Sequence, residues 1–375
     1  MPGTAHDGDN RSIDPDLIPS AEIHENVELA PLTTIGLGGV ARYYVRWCDP
    51  AAICSTLGWA RDKGLPVQVL GGGSNILFAD QTYQGVVAKV ELRGLEITRA
   101  GGGVTVVAGA GERWDDLVLK SVEAGLGGIE CLSGIPGLVG ATPIQNVGAY
   151  GQEVKERIVA VDAIDRESFE TTRFANADCQ FGYRTSRFKT ADRDRFVITA
   201  VTFRLADPGR PQLRYPELER CLREDFDLPA GARGREAMST VRRAVLKLRR
   251  AKSMVVDETD ENSRSMGSFF LNPVIDAAEL AALRSRLDRD LPAFESPDGY
   301  KVPAAWLVER SGFARGYQRD GIRISANHAL ALVNCGGTST AVRRLAKEIE
   351  RAVFDLSGIR LEPEPVIVGT EPSDD

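Results

Sequence analysis

Hydrophobic periodicity changes along this chain, and each change marks an element. Residues 41–47 (ARYYVRW) mix aromatic and β-branched positions and predict a strand. A helix is predicted over 50–63: the Asp49 side chain can cap it, Pro50 suits its first position and Gly64 can end it. Residues 66–70 (PVQVL) read as a buried strand that runs straight into Gly71-Gly72-Gly73-Ser74-Asn75, completing a first α/β unit. Between 85 and 110 lie three short β-type runs, GVVAKV, LEITRA and GVTVVAGA, followed by an amphipathic helix over 114–124. Two more β-type runs, IVAVDAID (158–165) and FVITAVTFRL (196–205), make this second region α+β.

The pattern breaks at Asp207-Pro208-Gly209-Arg210-Pro211, read as a domain boundary. Beyond it, a helix over 239–252 carries Val241, Ala244, Val245 and Leu248 on one face, with Arg and Lys elsewhere. Residues 328–335 (HALALVNC) predict a buried strand. Residues 340–356 predict a helix, with Val342, Leu345, Ala346, Ile349, Val353 and Leu356 at helical spacing and Thr338 or Ser339 as its cap. Residues 359–369 close the chain as a β-type run. The expected division is a polar, disordered stretch over 1–20, lobes over 21–84 and 85–207, and a third domain over 208–375.

A chain of 375 residues is long enough for two or three domains with real cores. Its net charge of -7 weighs against a general nucleic-acid or anionic-membrane binder. Its 38 glycines exceed the usual share, and much of the excess falls between 36 and 151. The six cysteines (48, 54, 131, 179, 221 and 335) have no metal-ligand spacing and read as reduced, mostly buried thiols. With only His6, His24 and His328 available, neither a histidine metal site nor a catalytic triad is expected. No apolar run reaches membrane-spanning length and the N-terminus has no apolar signal region, so the expected location is the cytoplasm.

Candidate chemistry begins with residues 134–153, GIPGLVGATPIQNVGAYGQE. Glycines 134, 137, 140, 148 and 151 and prolines 136 and 143 alternate with Ile135, Leu138, Val139, Ile144 and Val147. A flexible linker lacks such apolar content, so this stretch reads as packed on one side and open to a flat or anionic cofactor on the other. Gly71–Asn75 could cradle a phosphate with turned-in amides and the Ser74 and Asn75 side chains, or be a plain tight turn; it fits neither the P-loop nor the dinucleotide GxGxxG pattern. Residues 179–189 alternate aromatic and cationic groups. In that run Arg184 suits bidentate recognition of a carboxylate or phosphate, although taken alone the run reads as a solvated basic loop. Ser268, in Gly267-Ser268-Phe269-Phe270-Leu271-Asn272-Pro273, reads by itself as a cap or turn residue. Glu364 either faces solvent at a strand start or is a buried functional group.

Taken in order, these segments resemble the UDP-N-acetylenolpyruvoylglucosamine reductase family. The resemblance is carried by residues 33–39, 71–75, 134–153, 183–189, 267–273 and 361–364, spread along nearly the whole chain. It implies an α+β protein, with a two-lobed FAD-binding region of the vanillyl-alcohol oxidase type followed by a smaller α/β domain for the UDP-sugar. It also implies non-covalent FAD, NADPH as hydride donor and an enolpyruvyl UDP-sugar as substrate. The FAD contacts it implies are Gly71, Gly72, Gly73, Ser74, Asn75, Gly134, Pro136, Gly137, Gly140, Ala141, Thr142, Gln145, Asn146, Gly148, Ala149 and Tyr150. By the same resemblance Ser268 is the general acid, while Arg184 and Glu364 stabilise the developing enolate. Tyr183, Tyr215, Lys252 and Asn272 are the implied UDP-sugar contacts, with no metal, no nucleic-acid or membrane partner, and a monomer.

Two departures from the family pattern stand out: Leu271 replaces a frequent Lys, and Pro365 follows Glu364 where Val is usual. A flavin-dependent sugar or hydroxy-acid oxidase and a non-enzymatic nucleotide-sugar binder are the alternatives. Oxidases of this fold often attach FAD through His or Cys, and here all three histidines lie outside the glycine-rich motifs.

Overall fold

The structure is a computed structural model that describes residues 21–100 and 103–369. The chain forms two compact units: 21–25, 43–71 and 84–245 make the first, and 26–42, 72–83 and 246–369 the second. The predicted disordered stretch over 1–20 lies outside the described residues.

One sheet runs in the order His24–Glu28, Val40–Trp47, Tyr83–Val90, Val67–Leu70. Its last two strands are parallel, with Val67 opposite Val86. Helix Pro50–Asp62 lies in the chain between Val40–Trp47 and Val67–Leu70; at its start the Asp49 carboxylate accepts from Ala52 N at 2.8 Å and Pro50 occupies the first turn, as predicted. A second sheet in the first unit is antiparallel, in the order Thr171–Ala175, Ile158–Asp165, Phe196–Leu205, Gly103–Gly109, Leu95–Ala100. Val104, Val106 and Ala108 are buried at alternate positions, and Val201 faces both Val161 and Ala108 across the ladders. Helix Trp114–Glu123 adds Trp114, Leu117, Val118 and Val122 to a core that contains Trp47 and Phe203. Each such side chain, fully buried, stabilises the fold by about 1.5–3 kcal/mol.

The first unit runs past the break at 207–211. Gly209 N donates to Gly125 O at 2.8 Å and Gly234 N to Gly209 O at 2.7 Å, so the Pro/Gly segment is a packed turn. Ala237 and Met238 belong to the first core, and the two compact units meet in the sequence at 245/246, inside helix Gly234–Ala251. That helix begins earlier than the predicted 239. Helices Pro216–Asp225, Ala277–Arg286 and Ala304–Arg310 were not anticipated.

The second unit packs helix Ser339–Ser357 and helix Ala304–Arg310 around Ile322–Ile324, the middle strand of a three-stranded antiparallel sheet. Thr338 caps the long helix by accepting from Ala341 N at 3.1 Å, and the Asp80 carboxylate accepts from Ser339 N and Thr340 N at 2.8 and 2.9 Å. Of the predicted strand over 328–335, only Leu332–Asn334 is extended, because His328 through Ala331 form a turn closed by Ala331 N donating to His328 O at 3.1 Å. The terminal β-type run likewise shortens to Val366–Val368, paired in parallel with Ile76–Phe78.

Candidate functional site

In the first unit, residues 134–153 are laid along 110–114. Trp114 N donates to Gly137 O (3.1 Å), Val139 N to Glu112 O (2.9 Å) and Gly140 N to Ala110 O (2.9 Å). Gly134 N donates to Asp115 Oδ1 at 2.6 Å, and Asp115 also receives the Arg242 fork at 2.6 and 2.7 Å. Leu138 and Val139 are buried as the packed side requires, whereas Ile144 is exposed.

The glycines of the motifs divide by what surrounds them. A Cβ on Gly140 would lie 2.5 Å from the Ala110 Cβ, and one on Gly148 would lie 2.9 Å from both Gln152 O and Glu153 Cγ. These two allow one segment to pack on another. A Cβ on Gly71, in contrast, would meet nothing nearer than the Ala141 Cβ at 3.9 Å. On its carbonyl side Gly71 is held by Lys89, whose Nζ donates to Gly71 O at 2.5 Å. Burial pushes the Lys89 amine below its usual pKa, against the pull of Glu91. Lys89 is not among the residues that the motifs single out, yet a lysine inside the apolar run GVVAKV is a readable signal of a fixed cation. Half-buried Pro136, Gly137, Ala141, Gln145 and Ala149 leave surface for a ligand, while Gly134, Thr142, Asn146 and Tyr150 are buried. An open glycine beside a fixed cation and a kinked, half-buried wall fit a flat cofactor carrying a diphosphate.

Arg184 sits in the left-handed region at φ +52, a conformation sparsely occupied by residues with side chains. Its guanidinium donates to Gly148 O (2.5 Å) and Asn146 O (3.4 Å), and lies 5.8 Å from the Tyr183 ring centre. The predicted arginine and the glycine-rich wall are thus brought together. Tyr215 also belongs to this unit, packed edge-on against Tyr150 with ring centres 5.3 Å apart.

In the second unit the Ser268 segment runs between two others. Ser268 bridges to Ala331, Phe269 N donates to Leu330 O (2.8 Å), Leu271 N to Glu362 O (3.0 Å) and Glu364 N to Phe269 O (2.8 Å). Residues 268 and 364, far apart in sequence, are therefore one ladder step from each other through Phe269. Both are half-buried. The Asn75 amide donates to Glu364 O at 3.3 Å, and Val366 N donates to Asn75 O at 3.0 Å, so Asn75 anchors the Glu364 strand. A Cβ on Gly73, at φ +71, would run into the Leu32 carbonyl, which makes this glycine obligatory for packing. Gly72 and Ser74 are half-buried. Asn272 Oδ1 accepts from Ala304 N at 2.9 Å, so part of its capacity serves the start of helix Ala304–Arg310. Lys252, together with Arg249 and Arg315, surrounds His328; burial first and these cations second push the imidazole down to about 4, leaving it neutral at pH 7. Its Nδ1 accepts from Leu330 N at 3.1 Å.

Among the described residues no group of His, Cys, Asp or Glu could hold a metal ion, and no helix is long and apolar enough to cross a membrane. Cys54, Cys131, Cys179 and Cys221 are buried and Cys48 is exposed.

Residues 41–168 match the family model described as FAD binding domain, and 257–368 the one described as UDP-N-acetylenolpyruvoylglucosamine reductase, C-terminal domain. UDP-N-acetylenolpyruvoylglucosamine reductase of Streptomyces coelicolor is 44% identical over 94% of this chain and 92% of its own length. The chain belongs to the UDP-N-acetylenolpyruvoylglucosamine reductase family. The Thermobifida fusca member is likewise 44% identical, over 92% of this chain and 97% of its own. The crystal structure of the Thermus caldophilus member shares the fold, with a TM-score of 0.62 at 22% identity over 93% of this chain and 100% of that one. The α+β, FAD-binding architecture expected from the motifs is therefore the architecture of this protein, and it is a flavin-dependent oxidoreductase of this family.

Proposed function

We propose that this protein reduces the enolpyruvyl ether of UDP-N-acetylglucosamine to the lactyl ether, UDP-N-acetylmuramate, with NADPH as hydride donor, in cytoplasmic synthesis of peptidoglycan precursors. FAD held without a covalent link would supply hydride-transfer chemistry between NADPH and C3 of the enolpyruvyl group. The residues for holding it are Gly71, Gly72 and Ser74 toward the diphosphate, with Lys89 behind Gly71, and the half-buried positions of 134–150. The three-part division into 21–84, 85–207 and 208–375 is proposed as the division of labour between two FAD lobes and a UDP-sugar domain.

The observation that carries this reading is the placement of Arg184. Its guanidinium is fixed by two backbone carbonyls of the glycine-rich segment, which supports a role in holding a substrate carboxylate beside the flavin. Hydride addition at C3 spreads negative charge over C2 and the carboxylate, and a fixed fork stabilises that charge strongly in a site that excludes water. Ser268 then donates the proton to C2. Serine is a weak acid, but a carbanion-like C2 is basic enough to take its proton, so placement within about 3 Å matters more than acidity. Glu364 assists at the same enolate. Tyr183, Tyr215, Lys252 and Asn272 bind the UDP-sugar, and the cations around Lys252 suit its diphosphate.

An anaerobic titration in two halves tests this. NADPH should bleach the bound flavin, and only the enolpyruvyl sugar should restore its colour. Ser268→Ala should leave bleaching intact and slow recovery about 100-fold or more. Equal recovery rates for Ser268→Ala and the parent would sink the assignment of the acid, and recovery driven by oxygen as fast as by the sugar would favour an oxidase.

A further inference from the structure

We propose that Asn146 is a positioning residue for Arg184 and not a ligand of the cofactor; the inference rests on the reading of Arg184 as the group that holds the substrate carboxylate. Asn146 is completely buried. Its amide nitrogen donates to Gly182 O (2.8 Å) and Glu153 Oε2 (3.0 Å), and its side-chain oxygen accepts from Lys155 N (3.2 Å). Both donor hydrogens and one acceptor position of the amide are therefore used within the protein. Glu153 is held in turn by Lys155 at 2.8 Å.

These bonds grip the arginine at both ends. Gly182, which Asn146 anchors by its carbonyl, opens the turn that carries Arg184: Gly182 N donates to Thr185 O at 3.0 Å, and this turn sets Arg184 at φ +52. At the other end, the main-chain carbonyl of Asn146 accepts from Arg184 Nη1 and that of Gly148 from Nη2. Asn146 can present its carbonyl this way because it too is left-handed, at φ +46, a region that asparagine enters more readily than most residues. Ser186 Oγ donating to Ile144 O (2.6 Å) and Lys189 Nζ donating to Arg184 O (3.2 Å) complete the staple. Two backbone carbonyls fix the fork. The wall at 144–148 and the arginine consequently form one body, which sets the guanidinium at a defined place before substrate arrives.

The test uses Asn146→Gly, which keeps the left-handed backbone free of cost while deleting the side-chain bonds, and Asn146→Asp, which keeps the shape but turns an oxygen toward two acceptors. Both variants should retain FAD at full stoichiometry, with a dissociation constant within about threefold of the parent, and be reduced by NADPH at the parent rate. Reoxidation by the enolpyruvyl sugar should slow about 10- to 100-fold, the loss expected when a group is misplaced by about 1 Å. Asn146→Gly combined with Arg184→Ala should be no slower than Arg184→Ala alone, because the two act through one group. Losses that multiply in the double variant, or FAD affinity falling more than about 30-fold while the loaded fraction reoxidises normally, would overturn the proposal. If Arg184→Ala reoxidises at the parent rate, the reading of Arg184 is what fails. Amide exchange in the apoprotein then decides the anchoring separately: Thr185 exchanging at least tenfold faster in Asn146→Gly supports it, and unchanged exchange refutes it.

Discussion

Gly71 and Gly140 both belong to the cofactor motifs, yet their surroundings predict opposite consequences for the same added methyl. In Gly140→Ala the new Cβ would lie 2.5 Å from the Ala110 Cβ, 3.1 Å from its Cα and 3.2 Å from its O. Gly140 is not among the positive-φ glycines, so the whole cost is overpacking, about 1–3 kcal/mol. For a unit of this size that lowers the melting temperature by about 3–10 °C. Ala110→Gly in the same chain moves the methyl from one side of the contact to the other. It should recover about half of the loss or more, with the Cα and O contacts and a second backbone glycine limiting recovery. In Gly71→Ala the nearest neighbour is 3.9 Å away, an ordinary van der Waals contact, so the apoprotein should melt within about 1 °C of the parent. Its flavin affinity should instead fall about tenfold or more, since the methyl occupies surface that the diphosphate would use. Apoprotein melting followed by near-UV circular dichroism, and FAD titration followed by flavin fluorescence, separate the two effects. Parent-like melting with weakened FAD binding in Gly140→Ala would refute the division, as would a destabilised apoprotein with parent affinity in Gly71→Ala.

Asp80→Asn removes the charge that accepts from Ser339 and Thr340 at the start of helix Ser339–Ser357, and should cost the second unit about 1–2 kcal/mol, read as a lower urea midpoint. Burial pushes the Asp80 carboxyl up, but hydrogen bonds from Thr340 and Ser339 outweigh it and hold its pKa below the usual value. This contribution is therefore present above about pH 3.9 and lost as pH falls through the lower folded value, so Asp80→Asn should flatten the acid limb of stability against pH. His328 has the opposite chemistry with the same sign: between about pH 6.5 and the folded value of about 4 the unfolded chain binds a proton that the folded chain does not. Stability should fall as pH drops through that window, and His328→Gln should remove this component; an unchanged profile would mean the imidazole is solvated. Arg242→Ala removes the fork on Asp115, next to Gly134, and should destabilise the first unit by about 1–3 kcal/mol in thermal melts, with Arg242→Lys recovering only part because a single ammonium cannot reproduce two parallel bonds.

Local signals carried most of the fold into the sequence. Asp49-Pro50, a buried stripe and Gly64 bound the first helix, and alternation in 103–109 and 196–205 marks strands whose registers pair as such patterns demand. What failed depended on partners elsewhere. Helix Pro216–Asp225 is mostly charged and buries only Leu218, Cys221 and Leu222, so its apolar stripe is thin. Helix Ala277–Arg286 carries a local signal in Asp276 and Glu279, which form a capping box. At 207–211, read as a domain boundary, nothing local tells that Gly209 docks on Gly125 and Gly127.

The candidate site divides in the same way. Its motifs could be read because glycine, asparagine and arginine in that order are unusual, but a motif does not say which of its members touches a ligand. Gly140 answers to Ala110, Gly73 to Leu32 and Asn75 to Glu364, each a partner distant in sequence. Arg184 shows the consequence most plainly. Its chemistry is legible from its neighbours Tyr183 and Ser186, whereas its aim is set from Asn146, 38 residues away. A residue inside a binding motif therefore has two independent physical reasons to be what it is, and only the space around its Cβ and the partners of its polar atoms tell them apart. Where both point inward, as at Asn146, substitution should be felt in the geometry of a neighbour before it is felt in cofactor affinity.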